Sequence, residues 1–213
     1  PMKLYTYFRS SAAYRVRIAL NLKGLAAEHV PVHLVNNGGE QHSENYRQIN
    51  PSELVPTWAE QEFVLSQSLG ILEYLEEKFP DTALLPQDLQ QRALIRAFSL
   101  SIACDIHPLN NLRVLQYLTG TLEVSDAQKT AWYKHWVLTG FKALEAQLEQ
   151  SNGKFCFGSQ PTLADCCLIP QVYNALRFDF DLSGYPKIRS IYNHCNTLEA
   201  FQHAAPEMQP EAA

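Results

Sequence analysis

The chain has 213 residues, of which 46% are hydrophobic and 18% charged, and its net charge is −5. That balance excludes disorder, collagen-like structure and coiled coil, and leaves room for one large domain or two modest ones. An acidic chain offers no general field for nucleic acid or an anionic membrane, although a few clustered arginines suffice for a small anionic substrate.

Lys3 to Phe8 alternates and is rich in aromatics, as a strand is, whereas Ala12, Val16, Ala19 and Leu20 recur at helical spacing. Arg9-Ser10-Ser11-Ala12 therefore falls at a strand-to-helix turn. The first turn of a helix has N–H groups without intrahelical partners and the positive end of the macrodipole. Serines there either cap the helix or offer hydroxyls to an anion, and these residues alone favour the cap. Gly24 ends this helix and His29 to Leu34 forms a second strand. Asn36 to Gly39 is a loop, Glu40 to Gln48 a short polar helix or irregular segment, and two prolines keep Asn50 to Pro56 non-helical.

Thr57 to Glu60 and Phe63 to Leu65 are short strands joined through Gln61-Glu62, which is hairpin length. From Gln67 a helix carries Ile71, Leu72, Leu75 and Phe79 on one face and stops at Pro80-Asp81. The order βαβαββα matches the small mixed sheet of a thioredoxin-like α+β domain. Pro80 to Gln90 is the linker candidate, and beyond it the strand signals vanish. Leu89 to Leu118 is one helix or two, bent near Pro108. Ser125 to Gln150 is another, with Trp132, Trp136, Phe141, Leu144 and Leu148 roughly four apart. Thr162 to Asp165 has the form of a capping box before a helix bent at Pro170. A last helix spans about 187 to 198, and Ala205 to Ala213 is expected to be a loose tail.

No apolar stretch reaches ~18 residues without a charge, and no charged-then-apolar leader precedes the first strand. A cytoplasmic protein is expected, with neither membrane nor nucleic acid as partner. Pro1, ahead of Met2, reads as an expression remnant. Cys104, Cys156, Cys166, Cys167 and Cys195 are odd in number and show no CxxC pair, which fits reduced thiols. Cys104 and His107 would share a helical face without a second ligand pair, so no metal site is expected.

A thioredoxin-like half with Val55-Pro56 and Gln67-Ser68, joined to a helical half with the Thr162 to Asp165 cap, resembles the cytosolic glutathione transferases. Within them, Arg9-Ser10-Ser11 followed by Tyr14 to Gly24 is similar to the zeta class, the maleylacetoacetate and maleylpyruvate isomerases. Asn50-Pro51, Gln67 to Leu69, Leu84 to Pro86, Ile106 to Asn111, Pro170 to Val172 and Arg177-Phe178 extend the likeness over nearly the whole chain. The resemblance implies a thioredoxin-like glutathione-binding domain over 1–83, an all-α domain over 88–213 and a homodimer. One departure stands out: the class has a cysteine where this chain has Ala12, which puts in doubt any chemistry that needs that thiol.

The resemblance also implies glutathione as cofactor and a small maleyl diketo acid as substrate. A hydroxyl from Ser10 or Ser11 would donate to the sulfur, with Ser10 preferred and Ser11 close behind, and Ala12 completes the turn. Val55, with Pro56 cis, would pair with the peptide part of glutathione; Gln67 and Ser68 suit its γ-glutamyl carboxylate, and Gln41 the glycine end. Charge moving into the dicarbonyl calls for cations, and Arg9, Arg15, Arg113 and Arg177 are the candidates. Of these, Arg9 and Arg177 are implied to hold the substrate, with His107, Asn111 and Arg113 lining the helical side and Arg15 mainly structural. The expected activity is glutathione-dependent cis–trans isomerisation of maleylacetoacetate. Maleylpyruvate isomerase or an α-halo-acid transferase is the alternative, and a non-catalytic binding module is a weaker one.

Overall fold

Four strands form one mixed sheet in the computed structural model, which describes residues 1–213: β1 (Met2–Thr6), β2 (Glu28–Pro31), β3 (Thr57–Glu60) and β4 (Phe63–Ser66). Their spatial order is β2-β1-β3-β4, with β2 parallel to β1 and both other pairs antiparallel. A parallel pair needs a crossover, which α1 (Ser11–Leu22) supplies. The register sets Leu4 opposite Trp58, and both are buried against Val16 and Leu20 of α1 and Ile71 and Leu75 of α3 (Ser68–Lys78). A second cluster, Tyr7, Val32, Tyr46 and Val55, includes a side chain of α2 (Glu44–Ile49). The expected α+β order is therefore present, with β2 shorter than the sequence suggested. Helix α1 ends as anticipated: Gly24 takes φ +65°, and Leu25 N–H donates to Leu20 C=O at 2.9 Å.

The chain divides into two compact units, 1–85 with 196–213, and 86–195. In the first unit, the segment after α3 is tied down by a buried ion pair. Lys23 Nζ lies 2.7 Å from Glu76 Oε1 and also donates to the Phe79 and Thr82 carbonyls, while the same carboxylate accepts from Leu84 N–H and Leu85 N–H. Removing one partner leaves an uncompensated buried charge. Glu76→Ala is expected to destabilise the protein by about 3 kcal/mol, read as a lowered urea midpoint.

The C-terminal segment differs from expectation. After α9 (Glu199–Gln202), residues 206–208 and 210–212 form two tight 3-10 turns, and Pro206 and Gln209 are buried. Gln209 Nε2 donates to the carbonyls of His203 and Ala205, both at 2.9 Å. The segment has no apolar period to announce it, because side-chain donors to its backbone hold it in place.

The second unit is helical: α4 (Leu89–Asp105), α5 (Leu112–Gly120), α6 (Asp126–Leu148), α7 (Leu163–Arg177) and α8 (Pro186–Cys195). Pro108 lies in a 3-10 turn, His107–Asn110, between α4 and α5. On α6 the buried face is Tyr133, Val137, Phe141, Leu144 and Leu148, and Trp132 and Trp136 are half-buried. Trp132 directs its indole N–H to the Leu109 carbonyl, 2.7 Å away. Asp165 completes the capping box of α7 and also accepts from Cys156 N–H; burial pushes its carboxyl above the usual range. Glu145 of α6 caps α8 by accepting from Lys187 N–H and Ile188 N–H. Cys104 is exposed and the other four thiols are buried, all unbridged. No helix is long and apolar enough to cross a membrane.

Candidate active site

Ser10 is the N-cap of α1, and its Oγ accepts from Ala13 N–H at 3.1 Å. The cap that the residues alone favoured is therefore real, and it does not compete with the other role. A hydroxyl has one proton to give and two lone pairs to accept with, so a Ser10 Oγ that accepts keeps its proton for an anion. Ser11 is the first residue of the helix and is buried, while Ala12 is half-buried. No acidic side chain occupies the first turn, so nothing neutralises the positive end of the helix.

The start of α3 is a second such place. Gln67 sits at the N-cap position with φ +74° and ψ 117°, a backbone region that costs a non-glycine residue about 1–3 kcal/mol. Its side chain makes no cap and is exposed, and the first turn again carries no acid. The opening N–H groups of α3 are thus left for another acceptor. Arg15, buried on α1, joins the two starts: its Nη1 donates to Ser68 Oγ at 3.0 Å. Arg15 therefore both braces the pair of helices and sets a cation behind Ser68.

Gln41 lies in the 3-10 turn Glu40–His42 and is buried. Its Nε2 reaches the Leu34 carbonyl at 3.3 Å, which fixes the amide orientation and leaves Oε1 buried without a partner. A buried acceptor left unmet costs about 1–3 kcal/mol, so this atom is suited to a ligand N–H. Gly39, at φ +99°, makes room for it, since a Cβ there would stand 2.7 Å from Gln41 Oε1. Val55-Pro56 is a cis peptide bond, and Val55 precedes the first paired residue of β3, Thr57. Arg9 is exposed beside Ser10, its guanidinium 5.1 Å from the Phe8 ring. The first unit thus brings Arg9, Ser10, Ser11, Ala12, Arg15 and Ser68 onto two adjoining helix starts, and the donors fit a ligand with a carboxylate and a second anionic group.

The second unit holds the remaining candidates. His107 opens the 3-10 turn and is half-buried; Asn111 caps α5 by accepting from Leu112 N–H, and Arg113 is exposed one residue further on. Arg177 is the last residue of α7, exposed, with its guanidinium 5.1 Å from the Phe178 ring. Tyr133 links these places. Its carbonyl accepts from Asn110 Nδ2, its hydroxyl donates to Asn174 on the last turns of α7, and its ring lies 4.5 Å from that of Phe178. Burial pushes the Tyr133 phenol well up, and the Arg177 charge opposes that shift. Sequence reasoning missed Tyr133, because the neighbouring tryptophans carried the apolar pattern, and it missed Arg17, discussed below.

The family model described as the glutathione S-transferase N-terminal domain matches residues 4–83, and that for the C-terminal domain matches 127–194. A probable maleylacetoacetate isomerase of Vibrio cholerae is 52% identical over 209 residues, 98% of this chain and 97% of that protein. Among solved structures, a holo maleylpyruvate isomerase, described as a bacterial glutathione S-transferase of the zeta class, has TM-score 0.95 at 45% identity, covering 99% of this chain and 100% of its own. A maleylacetoacetate isomerase from Methylobacterium extorquens AM1, solved with malonate and glutathione bound, has TM-score 0.93 at 38% identity, covering 99% of each chain. At such identity over the full length, the chain belongs to the zeta class of the glutathione transferases, the family of the maleylacetoacetate and maleylpyruvate isomerases.

Proposed function

We propose that the protein is a glutathione-dependent cis–trans isomerase that converts maleylacetoacetate to fumarylacetoacetate. The observation that carries this reading is the Ser10 hydroxyl, which is held as an acceptor by Ala13 N–H with its proton still to give, at a helix start free of acidic side chains. Glutathione held by these residues would supply the thiol nucleophile that reversible addition to an activated cis double bond, and hence rotation about it, requires.

The chain's own residues do the rest. Ser10 donates to the sulfur and, with the N-terminus of α1, favours its anionic form near neutral pH. Ser68 and the open first turn of α3 take the γ-glutamyl carboxylate, with Arg15 adding charge behind them. Gln41 accepts through the orphaned Oε1, and Val55 offers its backbone ahead of β3. Arg9 in the first unit and Arg177 in the second are each suited to a substrate carboxylate or to the charge that develops on its dicarbonyl, and His107, Asn111 and Arg113 are the second unit's further candidates. The malonate in a relative's structure, a small dicarboxylate bound along with glutathione, supports an acidic substrate.

Maleylpyruvate is the second candidate substrate, favoured by the likeness to a maleylpyruvate isomerase. Mixing the protein and glutathione with each acid separately decides between them: the absorbance of the cis substrate should fall with at least one, the faster kcat/KM naming the better substrate. No change with either would sink the isomerase reading. A homodimer in the cytoplasm completes the proposal, and apolar side chains left exposed, Phe63 and Val64 on β4 and Leu89 and Leu94 on α4, support the dimer. Light scattering on the purified protein should give twice the chain mass.

A further inference from the structure

We propose that Arg17 is a positioning residue for the thiolate-activating turn, and that through Ala204 it makes the C-terminal segment part of that turn's support. Arg17 lies on α1 about two turns beyond Ser10 and is 1% exposed. Its guanidinium fans out over the turn that leads to Ser10. Nη1 donates to Thr6 Oγ1 at 3.1 Å and to the Tyr7 carbonyl at 3.3 Å, and Nη2 donates to the Phe8 carbonyl at 3.0 Å. The fourth bond goes elsewhere in sequence, from Nε to the Ala204 carbonyl at 3.0 Å.

Two details tie these bonds to the site. The Tyr7 carbonyl that Arg17 holds also accepts from Ser10 N–H at 2.9 Å, so one oxygen fixes both the cap residue's backbone and the guanidinium. On the other side, Gln209 Nε2 grips the His203 and Ala205 carbonyls, which lie either side of Ala204. Asn21 Nδ2, one turn further along α1, takes the Ala200 carbonyl at 2.9 Å. The terminal segment is thus aligned along α1, with the Ala204 carbonyl aimed at Arg17.

Burying a guanidinium is costly unless its donors are met, and a lysine could not meet them, because its single ammonium lacks the planar fork. The Tyr14 ring, 5.3 Å away, shields the same group. Tyr14 and His29 of β2 are its titratable neighbours; burial first, and the Arg17 charge second, hold His29 below the usual imidazole range, while the Glu211 charge acts on His29 in the opposite sense. Arg17 therefore gives the turn a fixed geometry and a buried positive charge. A hydroxyl held to within a fraction of an ångström stabilises a thiolate far better than one on a loose turn.

The inference rests on Ser10 as the thiol partner, and the test separates the two. Arg17→Lys keeps the charge and loses the fork, Arg17→Met loses both, Gln209→Leu releases one clip, and deletion of residues 206–213 removes the end of the segment. For each protein with glutathione, thiolate absorbance against pH gives the bound thiol pKa, and kcat and KM follow with the maleyl substrate. Arg17→Lys and the deletion should raise the thiol pKa and lower kcat at neutral pH by about tenfold, with KM little changed. Arg17→Met should raise the thiol pKa further, and Gln209→Leu should move it the same way by less. An unchanged thiol titration and kcat in the folded variants, with only melting temperature lowered, overturns the proposal and leaves Arg17 a stabilising residue. Should the Arg17 variants not fold, the deletion and Gln209→Leu decide it by the same readout. A wild-type protein without a thiolate signal would instead refute the Ser10 reading beneath it.

Discussion

Replacing Ser10 with alanine is expected to cut turnover by about 10²–10³-fold, the usual loss when one donor to a developing anion is removed. The same change removes a cap that accepts from Ala13 N–H, which costs stability about 1 kcal/mol. The two effects separate cleanly, since a loss of that size leaves the protein folded at 25 °C while catalysis nearly stops. Without the hydroxyl the thiol pKa rises, so the acid limb of the kcat/KM profile should move to higher pH. That direction is diagnostic: a purely structural role would lower melting temperature without shifting the limb. Ser11→Ala is the matched control. Ser11 lies inside the helix as its first residue and is buried, so its loss should cost turnover much less than that of Ser10. The opposite ranking would assign the thiolate to Ser11.

What the sequence carried, and what it did not, follows from the kind of signal each residue leaves. The strand-to-helix turn at Arg9 to Ala12, the hairpin through Gln61-Glu62 and the capping box at Thr162 were legible because each is a local pattern with a local cause. Gln67 was legible as a helix start but not as a left-handed residue, because its φ of +74° is set by how β4 hands over to α3 rather than by the side chain itself. Arg15 and Arg17 looked alike on paper, two arginines on an apolar helix, and a lone arginine is usually on the surface. Both are buried, and what separates them is long-range: one reaches Ser68 and the other Ala204, partners that only the folded chain brings near. The terminal segment failed for the same reason. Its hold on α1 comes through backbone carbonyls, which every residue has and no composition reveals.

Arg177→Ala is expected to lower kcat/KM for the maleyl substrate by about 10²-fold, while glutathione affinity stays within about twofold. A charge-assisted hydrogen bond contributes about 1.5–3 kcal/mol, which is a factor of roughly 10 to 150. The competing account is that Arg177 serves the helix: it stands at the C-terminal end of α7, where a cation meets the negative end of the macrodipole, and it lies over the Phe178 ring. That role is worth about 0.3–1 kcal/mol each from dipole and ring, too little to unfold the unit and invisible to turnover. Lysine discriminates between the two. Arg177→Lys keeps the charge for the helix end but loses the planar fork, so stability should return to nearly the wild-type value while kcat/KM recovers only in part. Full recovery of turnover by lysine would mean that charge alone suffices and that no bidentate contact is made. A parallel loss of glutathione affinity in the alanine variant would move Arg177 from the substrate to the cofactor. Tyr133→Phe tests the support behind it, since that hydroxyl holds Asn174 less than one turn from Arg177. Its removal should weaken substrate binding modestly and leave the thiol titration unchanged, because the network belongs to the second unit and the serines to the first.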